Sequence, residues 1–401
     1  MNSQERRKLR RKRKSDEAAK EKSSFWLRLL RALPFFLISA VLTFLLSQAG
    51  NFIKLETTAL DLQMRLQEPP SQSKVAIVRI TNEDYKSLFG GKSPLNPEQL
   101  QRIINAIALG KPKAIGVDII TSSSEFRNAG FSSNVPLIWA RTALYSNKEQ
   151  NFYLNDVLGG REPAPASGLI VLHEDSDGIL RRYQRLFKTG QGTVPSFSWA
   201  VLKESNNAPS NLPENEEELF INFTGNPRVL KRYSLPASQV LEMSGGEGWQ
   251  TDSPIKDKIV LLGGDYAVQD EHNTPLGWML GVDVQASVIE TELKGGGNAP
   301  ANRIVIGLLQ IVDGLVLLLL FHFLSFKKAV GFSLLGILPL SAVCSLITYF
   351  SFGYWAYFAP ILLAVLLQQI YDRLKDYRKE LAIDTVEKVD GSSDAEEKKP
   401  D

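Results

Sequence analysis

Cysteine is all but missing from this chain. Cys344 is the only one in 401 residues, so no intrachain disulfide can form, and its place inside an apolar segment gives no support to thiol chemistry. Any folded domain must be held by its packed core alone. Histidine is nearly as scarce, with three residues. One of them, His272, stands near carboxylates, but at no fixed metal-ligand spacing. A Ser-His-Asp order, a phosphate-binding loop, a nucleotidyl cyclase carboxylate pair and a zinc motif are also missing. No catalytic role and no cofactor are therefore expected. Net charge is lacking too, since 46 Lys and Arg against 44 Asp and Glu leave only +2.

That balance hides an asymmetry. Arg6, Arg7, Lys8, Arg10, Arg11, Lys12, Arg13 and Lys14 crowd one arm, while Asp390, Asp394, Glu396, Glu397 and Asp401 mark the far tail. A basic arm could suit nucleic acid, but this one lies directly before an apolar segment, where it reads as a cytoplasmic topology determinant. Four apolar segments, 34–53, 304–326, 329–350 and 355–371, are predicted to cross a membrane, whose hydrocarbon core is about 30 Å thick. The first reads as an uncleaved anchor, because no compact small-residue cleavage site follows it before Asn51. With the arm (1–33) inside, residues 54–303 fall outside, while Lys327-Lys328 and the tail (372–401), which begins with Arg373 to Lys379, return inside. Every basic cluster then lies on one side. Asp313 and His322 in the second segment point to nearly opposite helix faces and so form no single site.

Between the first two segments the periodicity predicts an α/β fold: an external, mixed but largely parallel sheet flanked by helices. Leu55, Ala59, Leu62 and Leu66 suggest a stalk helix, with Asp61 and Arg65 at i,i+4, until Pro69-Pro70 stops it. Val75 to Ile80, Ala114 to Ile120, Pro136 to Leu144, Leu169 to Leu172 and Leu219 to Phe223 read as strands. Pro97 to Leu109 reads as a helix with Leu100, Ile103, Ile104 and Ile107 on one face. Asp177-Gly178 reads as a turn into a hairpin over Ile179 to Lys188. Helices are expected from Pro195 to Lys203 and from Pro236 to Met243. The unbroken run Ile259 to Leu262 is a strand covered on both faces. A loop with Asp270, His272 and Thr274-Pro275 follows, and then a helix carrying Val282, Ala286, Ile289 and Leu293.

Ligands of open α/β sheets bind beyond the carboxyl ends of the strands. That edge gathers Glu83 after the first strand, Asp118 in the second and Asp265 after the late one. Asp118 lies inside AIGVDII, where an unpaired carboxylate would cost several kcal/mol. It therefore needs either an arginine partner, Arg79 or Arg181, or a ligand. Asp270, His272 and Thr274 make either a polar, ligand-binding corner or a hydrogen-bonded loop fixing the next helix. Arg181 and Arg182 are adjacent on a strand and face opposite sides, so they cannot share one anion pocket.

VAIVRITNED at 75–84, AIGVDII at 114–120, DGILRRY at 177–183, PSFSWAVL at 195–202, FINFTG at 220–225, KIVLLGG, DEHNTP and GVDVQASVI occur in an order that resembles the type 2 CHASE domains, extracellular sensory modules of bacterial cyclases and histidine kinases. The resemblance also covers the stalk with Asp61 and Arg65, and the three following membrane segments. It implies a sensor of the bacterial plasma membrane with an extracytoplasmic ligand or stimulus. In that family a catalytic domain usually follows in the cytoplasm. Residues 372–401 are too few for a cyclase, kinase or phosphatase domain, so a separate cytoplasmic effector is expected as partner, besides membrane lipids. The alternative is a membrane scaffold that positions a partner complex without sensing a small molecule. Whether the chain forms a homo-oligomer stays open.

Overall fold

The computed structural model describes residues 50–66, 72–147, 151–223, 232–266, 270–302 and 338–355, with isolated positions between 316 and 336. The chain divides into two compact units, one made of Thr58–Pro300 with Tyr349–Trp355, the other of Met1–Thr57, Ala301–Thr348 and Ala356–Asp401.

The first unit is built on a strand whose alternate side chains are buried on both sides. From Val75–Thr81, Val75 and Ile77 enter one apolar layer, while Ala76, Val78 and Ile80 enter the other. A central parallel strand requires this double burial. The sheet runs in the order Tyr233–Pro236, Val75–Thr81, Ile259–Asp265, Ala114–Asp118, Leu137–Arg141 and Ser167–Leu169, paired in parallel throughout. Helices Pro97–Leu109 and Ala237–Met243 cover one face, and helices Phe197–Glu204 and Gly281–Leu293 cover the other. The predicted α/β architecture is therefore present. Its antiparallel part is confined to small ribbons outside the central sheet, such as Glu271–Thr274 paired with Gly277–Leu280.

Two glycines let helices approach the sheet. A Cβ on Gly116 would stand 2.7 Å from Leu261 Cδ2 and 2.9 Å from Val201 Cγ2. One on Gly263 would stand 2.7 Å from Val282 Cβ, so helix Gly281–Leu293 rests almost on the strand backbone.

Several expectations change. The helix Gly50–Arg65 exists, but among its described side chains the buried ones are Thr57, Leu60, Gln63 and Met64, while Leu62 and Leu66 of the expected stripe are 59% exposed. Asp61 and Arg65 do not pair with each other, because each is held by a distant loop described below. Pro195 closes a strand instead of opening a helix, and Ser196 is the cap, its side chain accepting from Trp199 N–H. The segment around His272 is a hairpin, not a loop. Among the described residues no helix is long and apolar enough to cross a membrane. Most of 34–53, 304–326 and 355–371 lies outside the described residues. Within 329–350 a helix of 15 residues, Leu338–Phe352, is described. Trp355, predicted to begin the last segment, instead belongs to a short strand pairing Tyr354–Trp355 with Ala299–Pro300.

Candidate functional site

The strand ends bring three of the predicted residues together. Asp118 is the last residue of its strand, and among the described residues no donor reaches its carboxylate. Neither predicted arginine serves it, since Arg79 binds Asp283 and Asp265 while Arg181 binds Asp61, Asp175 and Asp177. Asp118 keeps some accessible surface, yet protein atoms surround it. Burial pushes its pKa up to about 7, the negative charge of Asp270 adds to the rise, and His272 opposes it.

His272 stands between carboxylates. Its Nε2 is 3.2 Å from Asp270 Oδ1, within hydrogen-bond range, and its Nδ1 is 3.6 Å from Glu174 Oε1, an ion-pair distance only. The bond to Asp270 raises the imidazole pKa, burial works against the rise, and Glu174 adds to it. Asp270 is itself placed by Gly281, whose N–H donates to the Asp270 carbonyl at 2.8 Å. A Cβ on Gly281 would fall 2.1 Å from Asp270 Oδ2. Asp118, Asp270, His272 and Glu174 thus form a titratable corner that can take up a proton or a cationic group. Among the described residues no cluster of three or more His, Cys, Asp or Glu is placed to hold a metal ion.

The remaining predicted residues serve other ends. Thr274 builds the hairpin turn, donating to Gly277 O at 2.6 Å and accepting from Leu276 N–H at 3.2 Å. Glu83 is exposed in helix Asn82–Phe89. Asp265 lies 3.6 Å from Arg79. The buried neighbour of Glu83, Asp84, matters more. It completes a capping box with Thr81 and also accepts from the N–H groups of Ala237 and Ser238. The pattern Thr81-x-x-Asp84 is a capping-box signature readable in the sequence.

Arg181 is the most heavily paired residue described. It is fully buried. It donates to Asp61 at 2.6 and 3.0 Å, to Asp175 at 2.9 Å and to both oxygens of Asp177 at 2.9 Å. Burial works against its charge, but the bonds to Asp61 and Asp177 outweigh that and hold its pKa above the usual arginine range. Gly178, at φ +74°, makes the tight turn that returns Asp175 and Asp177 to it. The same edge continues with Tyr183 and Arg185, both buried. Tyr183 Oη donates to Glu292 Oε1 at 2.6 Å, and Arg185 binds both Glu292 oxygens at 2.8 and 3.1 Å. Burial pushes the Tyr183 pKa well up, with Glu292 adding to it. Arg182 reaches Glu218 at 2.9 Å, but its Nε also stands 3.1 Å from Asp175 Oδ1, so against the expectation from strand alternation both adjacent arginines meet that carboxylate from its two oxygens.

The segment Arg181–Arg185, centred on the two-residue strand Arg182–Tyr183, grips two parts of the domain that are remote in sequence. Through Arg181 it holds the helix that leads in from residue 50. Through Glu292 and the Gly297 N–H, which donates to Tyr183 Oη at 3.0 Å, it holds the segment that leads out. The hairpin with His272 joins the same assembly, since Leu180 N–H donates to Asn273 O at 2.7 Å and Arg65 Nε donates to Pro275 O at 2.7 Å.

The CHASE2 domain family model matches residues 37–326 of the chain. No curated protein and no solved structure matches it.

Proposed function

The chain belongs to the CHASE2 domain family, an extracellular sensory family, and from that premise we propose that it is a multi-pass sensor of the bacterial inner membrane, passing an external stimulus to a separate cytoplasmic effector. One observation carries the mechanism: the short segment Arg181–Arg185 clasps both the incoming helix, through Arg181 at Asp61, and the outgoing segment, through Tyr183 and Arg185 at Glu292 and Gly297. A change of charge or position at the Asp118, Asp270 and His272 corner alters the hairpin Glu271–Leu280. That hairpin is bonded to Leu180 beside Arg181 and to Arg65 of the incoming helix. Stimulus and helix thus share one hydrogen-bonded assembly, which a two-state population shift can bias. The chain itself does no catalysis in this reading; its output is a contact.

Two measurements test it. In a Cys344→Ser background, Asn211→Cys is expected to react with a membrane-impermeant maleimide in spheroplasts, and Ser15→Cys is not. Proximity labelling from the C-terminal tail is then compared between wild type and Arg65→Ala at equal expression. A sensor changes its labelled cytoplasmic proteins when the incoming helix is uncoupled. Identical labelling in both would leave a scaffold in its place.

A further inference from the structure

Three neighbouring strands of the central sheet each start behind a lysine. Lys74 precedes Val75, Lys258 precedes Ile259 and Lys113 precedes Ala114, and Ile259 is in register with both Val75 and Ala114. The three lysines therefore stand level along one edge, about 4.8 Å from strand to strand. Lys111 and Lys256 extend the row, each two residues before its strand's lysine. Asp257 N–H donates to Lys111 O at 3.1 Å, Lys113 N–H to Lys258 O at 2.8 Å and Ile259 N–H to Lys74 O at 3.0 Å. Backbone bonds thus hold the array.

None of these lysines is paired with a carboxylate. Lys74, Lys111, Lys113 and Lys256 are exposed, and Lys258 is half-buried over the Tyr233 ring. Among the described residues the lysine ion pairs are Lys188 with Glu216 and Lys203 with Glu214. Lys113 Nζ instead meets Asn207 Oδ1 at 3.1 Å, and Lys256 Nζ the Thr251 carbonyl at 3.4 Å. Asp252, Asp257 and Glu204 are exposed at the same end, which still leaves the five lysines in excess.

The chain leaves the domain at this end. Helix Gly281–Leu293 starts beside the far ends of the strands, with Val282 against Gly263 and Asp283 on Arg79, and runs back to Glu290, which is bonded to Ser73 just before the first strand. A Cβ on Gly296 would lie 3.5 Å from Leu212, in the loop that also brings Asn207 to Lys113. Ala299–Pro300 then pairs with Tyr354–Trp355. The apolar segment 304–326 begins four residues after Pro300, about 14 Å of fully extended chain.

We propose that the lysine edge faces the membrane that anchors the chain and binds the anionic phosphate headgroups of its lipids. A lipid surface suits a row of lysines on an open edge, because each ammonium acts as a point charge and can meet a separate phosphate. Such attraction reaches about one Debye length, roughly 8 Å at physiological salt. The contact holds the domain with its opposite edge, where Asp118 ends its strand, turned to the external medium. The inference rests on the membrane reading and needs no signalling role.

The test places the purified full chain, in a Cys344→Ser background, in lipid nanodiscs that hold a headgroup-labelled acceptor lipid. A donor dye sits on Gln72→Cys, exposed beside Lys74, or on Glu83→Cys, exposed past the far end of the first strand. Energy transfer is expected to be stronger from position 72. It should rise when phosphatidylglycerol replaces part of the phosphatidylcholine, and fall back at about 1 M salt, where screening cuts the reach of charge to about 3 Å. Replacing Lys74, Lys111, Lys113 and Lys256 by Gln should abolish the phosphatidylglycerol response and keep the melting temperature. Arg at the same four positions should restore it, and Lys86→Gln with Lys92→Gln, exposed beyond the first strand's far end, should leave it unchanged. Stronger transfer from position 83, no response to phosphatidylglycerol, or a Gln variant that responds like wild type overturns the proposal. A response to soluble polyphosphate but not to phosphatidylglycerol overturns it equally, since the edge would then serve a free polyanion. A chain that washes off phosphatidylcholine discs refutes the membrane reading instead. The edge is then judged by flotation with phosphatidylglycerol vesicles: wild-type binding that is lost in the Gln variant upholds the lipid contact, and no binding overturns it.

Discussion

Arg181 and Asp61 meet through two parallel hydrogen bonds, 2.6 and 3.0 Å long, across 120 residues of sequence. The pair fixes which side of helix Gly50–Arg65 turns inward, and this is why Leu60 and Met64 are buried while Leu62 is not. Breaking one partner of a buried charge pair costs more than the pair contributes, because the other charge is left without compensation. Arg181→Met leaves Asp61 and Asp177 without their arginine, Asp175 keeping Arg182 at 3.1 Å, and is expected to lower stability by about 3–5 kcal/mol. Asp61→Asn leaves Arg181 with Asp175 and Asp177 and should cost clearly less. Chemical denaturation of the full chain in detergent measures both. Equal losses would mean that the helix contact, not the loop contacts, dominates.

Protonation at the sheet edge gives a pH dependence of definite sign. Asp118 rises from the ordinary 3.8 to about 7 in the folded protein, chiefly through burial, so the folded state binds a proton that the unfolded chain releases. Its contribution to stability is present below about pH 4 and is lost as pH rises toward 7. His272, also raised, acts in the same direction, losing its contribution as pH rises through its folded value. Asp118→Asn mimics the protonated form. Melting temperatures of mutant and wild type should agree near pH 4 and diverge as pH rises, with the mutant more stable by about 4 kcal/mol at pH 8. A constant difference across that range would place the ionisation elsewhere.

What the sequence made legible follows from range. The strand Val75–Thr81 and the helix Pro97–Leu109 carry their own period, and each forms within a residue of its expected limits. The hairpin Glu271–Leu280 did not announce itself, because EHNTPLGWML has a proline at its turn and no clean alternation. Asp118 is recognisable as a carboxylate in an apolar strand, but its neighbours Asp270 and His272 arrive with a hairpin far along the chain, and the arginines that look available are engaged elsewhere. Asp61 and Arg65 read as a local i,i+4 pair, and tertiary partners with better geometry took both. Asp84, beside the more exposed Glu83, carries its signal in the capping-box spacing Thr81-x-x-Asp84, while its bonds to Ala237 and Ser238 have no sequence signature.

Gly281 controls Asp270. Only the Asp270 carboxyl group stands in the way of an added Cβ, with Oδ2 at 2.1 Å, Cγ at 2.6 Å and Oδ1 at 2.7 Å, and a side-chain carboxylate can swing aside at small cost. Gly281→Ala is therefore expected to change stability by less than about 1 kcal/mol while moving Asp270 from His272. The imidazole pKa should then fall toward its ordinary value, since the bond to Asp270 is the first cause of its rise. With three histidines in the chain, isotope-labelled imidazole signals can be assigned by single replacements and titrated. An unchanged His272 titration would show that Asp270 stays in place despite the methyl group.

Helix Ala237–Met243 begins at Pro236, which offers no side-chain cap. Its first amides are instead satisfied from a distant helix, by Asp84, whose Oδ2 accepts from Ala237 N–H at 3.1 Å and Oδ1 from Ser238 N–H at 3.2 Å. Oδ2 also accepts from Thr81 N–H at 3.0 Å, so one buried carboxylate ends two helices and ties them together. Asp84→Ala leaves these amides without their acceptor inside the core and should cost about 2–4 kcal/mol. Asp84→Asn keeps one acceptor oxygen and should lose about half as much. Pro236→Ser supplies a local cap in place of the borrowed one. With Asp84 present it should do little, because the amides are already bonded. In the Asp84→Ala background it should restore about 1 kcal/mol. The coupling between the two sites, read from the four melting curves of this double-mutant cycle, is the quantity to measure. If the effects simply add, Asp84 is not serving as the cap of Ala237–Met243, and its weight in the fold must come from its own helix alone.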